Sequence, residues 1–177
     1  MKLFVISDIH GSVKYASIAL EKFNKAHYDN LVILGDLYYH GPRNPLPEEY
    51  NPKEVSIKLN AIKDQIIAIN GNCDAEVDQM ISEFPIEKKR VLITPSNKKI
   101  GLIHGHHGVD ELGKCDLYLT GHTHISVLEQ KDGSVFANPG SISLPKAEKS
   151  RNYIIVNNDE IFIYDLLTDE LINRAKY

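Results

Sequence analysis

Two short motifs carry much of the chemistry in this chain: Asp8-Ile9-His10 near the amino terminus and His122-Thr123-His124 in the second half. Each places two metal-competent side chains one residue apart. Such a pair can aim both groups at a common cation where a strand breaks, and nearby glycines let the backbone come close. Asp36, Asn72 and His104, each beside a glycine, add a carboxylate, an amide oxygen and an imidazole. Singly, each has an ordinary explanation, because Asp after a strand often caps a helix and His often completes a structural hydrogen bond. Together they form a donor set suited to hard or borderline divalent ions: Mn²⁺, Fe²⁺, Co²⁺, Ni²⁺ or Zn²⁺. Asp8, His10, Asp36, Asn72, His104, His122 and His124 are too many for a closed, Cys-rich structural zinc site. They fit two ions roughly 3.5–4 Å apart that share one carboxylate and activate a water, for which phosphate esters are the natural substrate class.

These groups need a scaffold that gathers strand ends. Short apolar runs at 3–6, 31–34 and 66–69 alternate with segments of helical spacing such as Val13, Ala16, Leu20 and Phe23. The pattern predicts βαβαβ with continuous apolar strands, as in a parallel sheet covered on both faces. Ligands in such sheets collect at the carboxyl ends of the strands. After about residue 90 the pattern changes to strands without long helices, at 90–94, 99–104, 116–120, 125–130, 135–138, 153–156 and 161–164. Lys131-Asp132-Gly133-Ser134 and Asn157-Asn158-Asp159 supply residues that tolerate tight hairpin turns. One domain over residues 1–177 is expected, with a parallel and an antiparallel half, sheets face to face and helices outside.

Composition narrows the function classes. The chain has 177 residues, 42% hydrophobic and 25% charged, with a net charge of -4, the profile of an ordinary globular protein. The acidic balance, without an aromatic-basic stripe, argues against extended nucleic-acid binding. The first apolar run meets Asp8 and His10 before a signal peptide or membrane span is complete, so no membrane partner is expected. Cys73 and Cys115 are too few for a disulfide framework and read as reduced thiols of a cytoplasmic protein.

The ordered set "DIH", "GD", "GNCD", "HGH" and "GHTH" resembles the calcineurin-like metallophosphoesterases. "HGPRN", "GNCDAEVDQM" and "NPGSISLPK" further resemble a small bacterial phosphodiesterase branch of that family. The resemblance implies an α/β fold, a four-layer α/β/β/α sandwich of two mixed sheets with flanking helices. It also implies one metal site of Asp8, His10, Asp36 and His124 and another of Asp36, Asn72, His104 and His122, with Asp36 as the bridge. Two divalent metal ions are implied, Mn²⁺ foremost. A bridging hydroxide would attack phosphorus in line, with no covalent enzyme intermediate. The implied function is hydrolysis of small phosphodiesters with good leaving groups. A phosphomonoesterase and a non-catalytic, retromer-like scaffold are the alternatives.

Cys73 departs from the family pattern, in which many relatives carry a histidine that protonates the leaving oxygen. An unperturbed thiol titrates near about 8.5, and nearby cations favour its thiolate, so it suits that role poorly. Leaving-group protonation is therefore expected to be weak, although Cys73 also reads simply as a small residue packed beside Asn72. Arg43, in a proline-rich segment at 40–47, is expected either in a surface connector or at a cleft rim, where its planar fork suits phosphate. His106 is expected to touch substrate, orient a ligand or stack on the surface, and His107 less so. Asp74 reads as the cap of a following helix, with hydrogen bonds accepted from its own loop as the alternative; 138–141 reads as a tight turn, which the resemblance implies supports the metal loops. Tyr153, Phe162 and Tyr164 are read as core, with a homo-oligomer interface as the alternative.

Overall fold

In β1 (Lys2–Ile6), Phe4 and Ile6 face one side while Leu3 and Val5 face the other, and all four are buried. β2 (Asn30–Ile33) and β3 (Ile66–Ile69) repeat this pattern, giving a sheet that is apolar on both faces. The computed structural model describes residues 1–147 and 150–177. In it β1, β2 and β3 run parallel, with Phe4 opposite Leu31 and Val32 opposite Ile67. α1 (Val13–Lys25) connects the first two strands and buries Tyr15, Ala16, Ala19, Leu20 and Phe23 at helical spacing against the Phe4 face. α2 (Pro52–Asn60) precedes β3; the Asn51 side chain accepts from the Glu54 amide at 3.2 Å, and Pro52 suits the first turn.

The chain continues through α3 (Glu76–Ile81) and β4 (Ile86–Glu87). It then builds β5 (Lys89–Ile93), β6 (Lys99–Ile103), β7 (Leu117–Leu119), β8 (Ser126–Lys131) and β9 (Ser134–Pro139). β10 (Asn152–Asn157), β11 (Glu160–Asp165) and β12 (Leu171–Lys176) return to the first sheet. The strand orders are β12-β11-β10-β1-β2-β3-β4 and β5-β6-β7-β9-β8. Both expected hairpins form, with Asp132, Gly133 and Asn158 at φ of 53, 78 and 52°. Leu3, Val5, Val32 and Ile69 meet Ile100, Leu102, Leu117 and Leu119 between the sheets.

The result is the expected α/β/β/α sandwich with unequal outer layers. α1 and α2 cover the first sheet. Over the second lies a 3₁₀ turn at Asp110–Leu112, packed so closely that a Cβ on Gly101 would lie 2.8 Å from the Leu112 side chain. Two strands fall outside the sequence expectations. β12 is an edge strand with five of six residues exposed, so no buried face imposes alternation on it. β4 has only two residues, too few to show a period. Among the described residues, no helix is long and apolar enough to cross a membrane.

Phe4 is the aromatic hub of the helix-facing core, stacked on Tyr153 at 4.6 Å and edge-on to Tyr28 at 5.2 Å. Phe4→Ala is expected to lower the unfolding free energy by roughly 3–5 kcal/mol, read from urea denaturation. A loss under about 1 kcal/mol would mean that the core closes around the cavity.

Candidate metal centre

Strand direction brings the polar residues together. β1, β2 and β3 are parallel, as are β6, β7 and β9 in the facing sheet. Asp8, Asp36, Asn72, His104 and His122 all lie just beyond the carboxyl ends of such strands. There the backbone turns hard: Asp8, His10, Asp36, His122 and His124 have φ between 48 and 67°. Left-handed backbone costs a non-glycine residue on the order of 1 kcal/mol or more, Asp and His being among the more tolerant types. In both x-separated pairs the two outer residues are left-handed, and both reach the same cluster. Glycines provide the clearance. A Cβ at Gly71 would lie 2.0 Å from Asp36 Oδ1, and one at Gly121 would lie 2.0 Å from Ser7 Oγ.

The imidazoles are oriented from behind. Nδ1 of His10 lies 2.8 Å from the Tyr39 carbonyl, that of His104 2.6 Å from Leu34, and that of His124 2.7 Å from Leu144. A carbonyl can only accept, so each Nδ1 carries a proton and donates, which directs Nε2 inward. His10 Nε2 and His124 Nε2 consequently face each other at 3.1 Å. Asp8 Oδ1 lies 3.2 Å from His124 Nε2 and 3.7 Å from His10 Nε2, and this buried oxygen has no hydrogen-bond partner. Two ring lone pairs and an unpartnered carboxylate oxygen around one point require positive charge between them. Asp8, His10, Asp36 and His124 can each place a ligand atom within 4.8 Å of the others, so the donor set fits a divalent ion.

Each aspartate divides its oxygens. Asp8 Oδ2 accepts from Ser7 Oγ at 2.5 Å and from the His122 amide at 3.1 Å. Asp36 Oδ1 accepts from the Cys73 amide at 2.9 Å, while Oδ2 lies 3.7 Å from His10 Nε2 and 3.6 Å from His104 Nε2. That oxygen stands between imidazoles from the two sheets. Beyond it, Asn72 Oδ1 lies 3.1 Å from His104 Nε2 and 2.6 Å from His122 Nδ1, so the second expected set also converges. Burial alone would raise Asp8, but the nearby His10, His124 and His104 rings hold it well below the usual carboxylate range. Burial alone would lower His10, yet Asp8, the Tyr39 carbonyl and Asp36 together outweigh it and the net shift is upward. His122 shifts down through burial and the neighbouring His104.

The segment at 138–143, which extends the turn expected at 138–141, underlies both loops. Ser141 Oγ and Ser143 Oγ donate to the Asp8 carbonyl at 2.7 and 3.1 Å, and Asn138 Nδ2 donates to the Gly121 carbonyl at 2.6 Å. Arg43 lines a cleft of about 860 Å³ together with Asp36, Asn72, Cys73, His122 and His124, which favours the rim over the plain connector. Tyr39 and Lys146, the latter closing the "NPGSISLPK" stretch, line it too, and neither is marked by the sequence as a cleft residue. Lys146 is held there by its amide, which donates to the distant His124 carbonyl at 2.9 Å, a tie no local motif announces. His106 is not among the lining residues. Its ring sits 5.5 Å from that of His104 and 6.0 Å from that of His122, and burial and these imidazoles shift it downward. His107 lies against His106, with ring centroids 4.1 Å apart.

Burial, with the Asp36 carboxylate, pushes the Cys73 thiol up to about 12. One expectation needs correction. Asp74 does not cap α3. Its carboxylate accepts instead from the amides of Asp36, Leu37 and Gly71 at 2.8, 2.7 and 2.7 Å, while Asp78 accepts from the Ala75 amide at the start of α3. Spacing alone cannot separate these roles, because both place an acidic residue just before a helix.

Comparison with known proteins agrees with this geometry. Residues 1–160 match the model of the calcineurin-like phosphoesterase superfamily domain. Phosphodiesterase YfcE of Escherichia coli is 40% identical over 179 residues, covering 99% of this chain and 97% of that protein. The solved structure of the E. coli YfcE phosphoesterase matches with a TM-score of 0.94 at 39% identity, covering 99% of each chain. A Vps29 structure from Entamoeba histolytica matches with a TM-score of 0.70 at 22% identity, over 100% of this chain and 99% of that one, and shares the fold. With the family match spanning most of its length and its own strand ends converging on a buried Asp/His cluster, the chain belongs to the calcineurin-like phosphoesterase superfamily.

Proposed function

We propose that this protein is a two-metal phosphodiesterase acting on small phosphodiesters with good leaving groups. The observation that carries it is the position of Asp36 Oδ2 between His10 Nε2 and His104 Nε2, at 3.7 and 3.6 Å. Asp8, His10 and His124 would hold one divalent ion with Asp36, and Asn72, His104 and His122 the other. Mn²⁺ is the ion proposed first. When bound, such a pair lowers the pKa of a water and stabilises charge on the phosphoryl oxygens. Asp36 supplies the negative charge shared by both sites, and the Cys73 amide fixes which of its oxygens faces them. Arg43 and Lys146 line the cleft as cations available to a phosphate.

The volume of about 860 Å³ suits a small ester. Cys73 lines the same cleft, and burial with the Asp36 carboxylate shifts its thiol upward, away from the range of an imidazole proton donor. Activated esters need least from a proton donor, which favours diesters with good leaving groups over ordinary monoesters. The two free cysteines accord with a cytoplasmic location.

Metal-stripped protein resupplied with Mn²⁺ is expected to hydrolyse bis(4-nitrophenyl) phosphate faster than 4-nitrophenyl phosphate. Asp36→Asn should reduce the diester rate by roughly 10²-fold or more, since it removes the shared charge. A monoester preference would instead favour a phosphomonoesterase, and hydrolysis of neither ester with both ions bound would favour a scaffold. Cys73→His is expected to accelerate esters with poor leaving groups, by up to roughly 10²–10⁴-fold, and to flatten the dependence of rate on leaving-group pKa. An unchanged slope would remove the proton-donor explanation of this position.

A further inference from the structure

We infer that Asp74 is a positioning residue whose carboxylate clamps the loops after β2 and β3 and thereby sets the reach of Asp36 Oδ2 and Asn72 Oδ1 toward the metals. Resting on the two-metal assignment above, this gives a role in metal binding to a side chain that is not itself a ligand. Oδ2 of Asp74 accepts from the amides of Asp36 and Gly71 at 2.8 and 2.7 Å, and Oδ1 accepts from the Leu37 amide at 2.7 Å. One carboxylate thus holds two successive amides of one loop and the amide that opens the other. The tie is reciprocal, because the Cys73 amide donates back to Asp36 Oδ1 at 2.9 Å. Backbone and side chain of Asp36 are both fixed from the 71–74 segment.

The clamp acts on a strained residue. Asp36 sits at φ 54°, a conformation that persists only where its surroundings impose it. Releasing its amide and that of Leu37 lets the backbone relax towards ordinary φ, and the bridging oxygen moves with it. The carboxylate chemistry also matters. Three amides demand acceptors, and Asp74 offers an oxygen on each side, whereas Asn offers one oxygen and replaces the other with a donor. The three amides that Asp74 accepts from meet two carboxylate oxygens, a set that Asn cannot match. Loss of partners that orient metal ligands typically weakens metal affinity by about 10–100-fold.

The test is Mn²⁺ binding measured by isothermal titration calorimetry on wild type, Asp74→Asn and Asp74→Ala, with metal-free melting followed by circular dichroism. The expected result is two Mn²⁺ per wild-type chain and an affinity lower by about 10–100-fold in Asp74→Asn, with native secondary structure retained. A lower melting temperature with unchanged Mn²⁺ affinity in Asp74→Asn would make Asp74 a purely structural tie and overturn the inference. Should Asp74→Ala fail to fold, Asp74→Asn alone decides. Failure of wild type to bind Mn²⁺ would overturn the clamp together with the two-metal assignment, whereas unchanged affinity in a binding-competent pair overturns only the clamp.

Discussion

The approach of His10 Nε2 to His124 Nε2 at 3.1 Å, with Asp8 Oδ1 beside both, is the contact around which the rest of the molecule is organised. Groups that repel one another are held together in a buried place, and five backbone positions around them adopt left-handed conformations. At about 1 kcal/mol or more apiece, that strain is a substantial share of the roughly 5–15 kcal/mol by which domains are usually stable. Such a cluster forms only if each strand feeding it is anchored elsewhere. The two apolar clusters on either side of the seven-stranded sheet provide that anchorage, with Leu3, Phe4, Val5, Leu31 and Val32 fully buried. Core packing and site geometry are therefore one problem.

A consistent division of labour solves it. Asp8 turns Oδ2 to Ser7 and His122 and keeps Oδ1 free, while Asp36 turns Oδ1 to Cys73 and keeps Oδ2 free. His10, His104 and His124 each bind a backbone carbonyl with Nδ1 and present Nε2. Every one of these residues has an atom bound to the chain and another offered to the site. Fixing the rear atom selects the ring tautomer and the carboxylate orientation before any ion arrives, which is the role expected of outer hydrogen bonds in metal sites.

Much of this was legible in the sequence, and the limits are physical. Apolar runs ending in Asp8, Asp36 and Asn72 gave the parallel strands, because strands buried on both faces cannot conceal their hydrophobicity. The donor types of His104, His122 and His124 pointed to the same edge. β12 was hidden because an exposed edge has no buried side to write a period into the sequence. Lys146 was hidden because only a backbone bond to His124 brings it to the cleft. Asp74 was left between a cap and a loop acceptor because a carboxylate before a helix suits both, and only the amide directions distinguish them.

The clearance at Gly71 bears on how sequences of this superfamily are compared. Asp36 Oδ1 occupies the space that a methyl group at 71 would fill. A descendant of this chain could keep every donor residue and still lose the centre by gaining a single carbon atom there. A catalogue of ligands alone would classify that protein as competent. Inheritance of the site thus runs through a missing side chain as much as through the polar ones, and that glycine is what a search for decayed, non-catalytic descendants should score first.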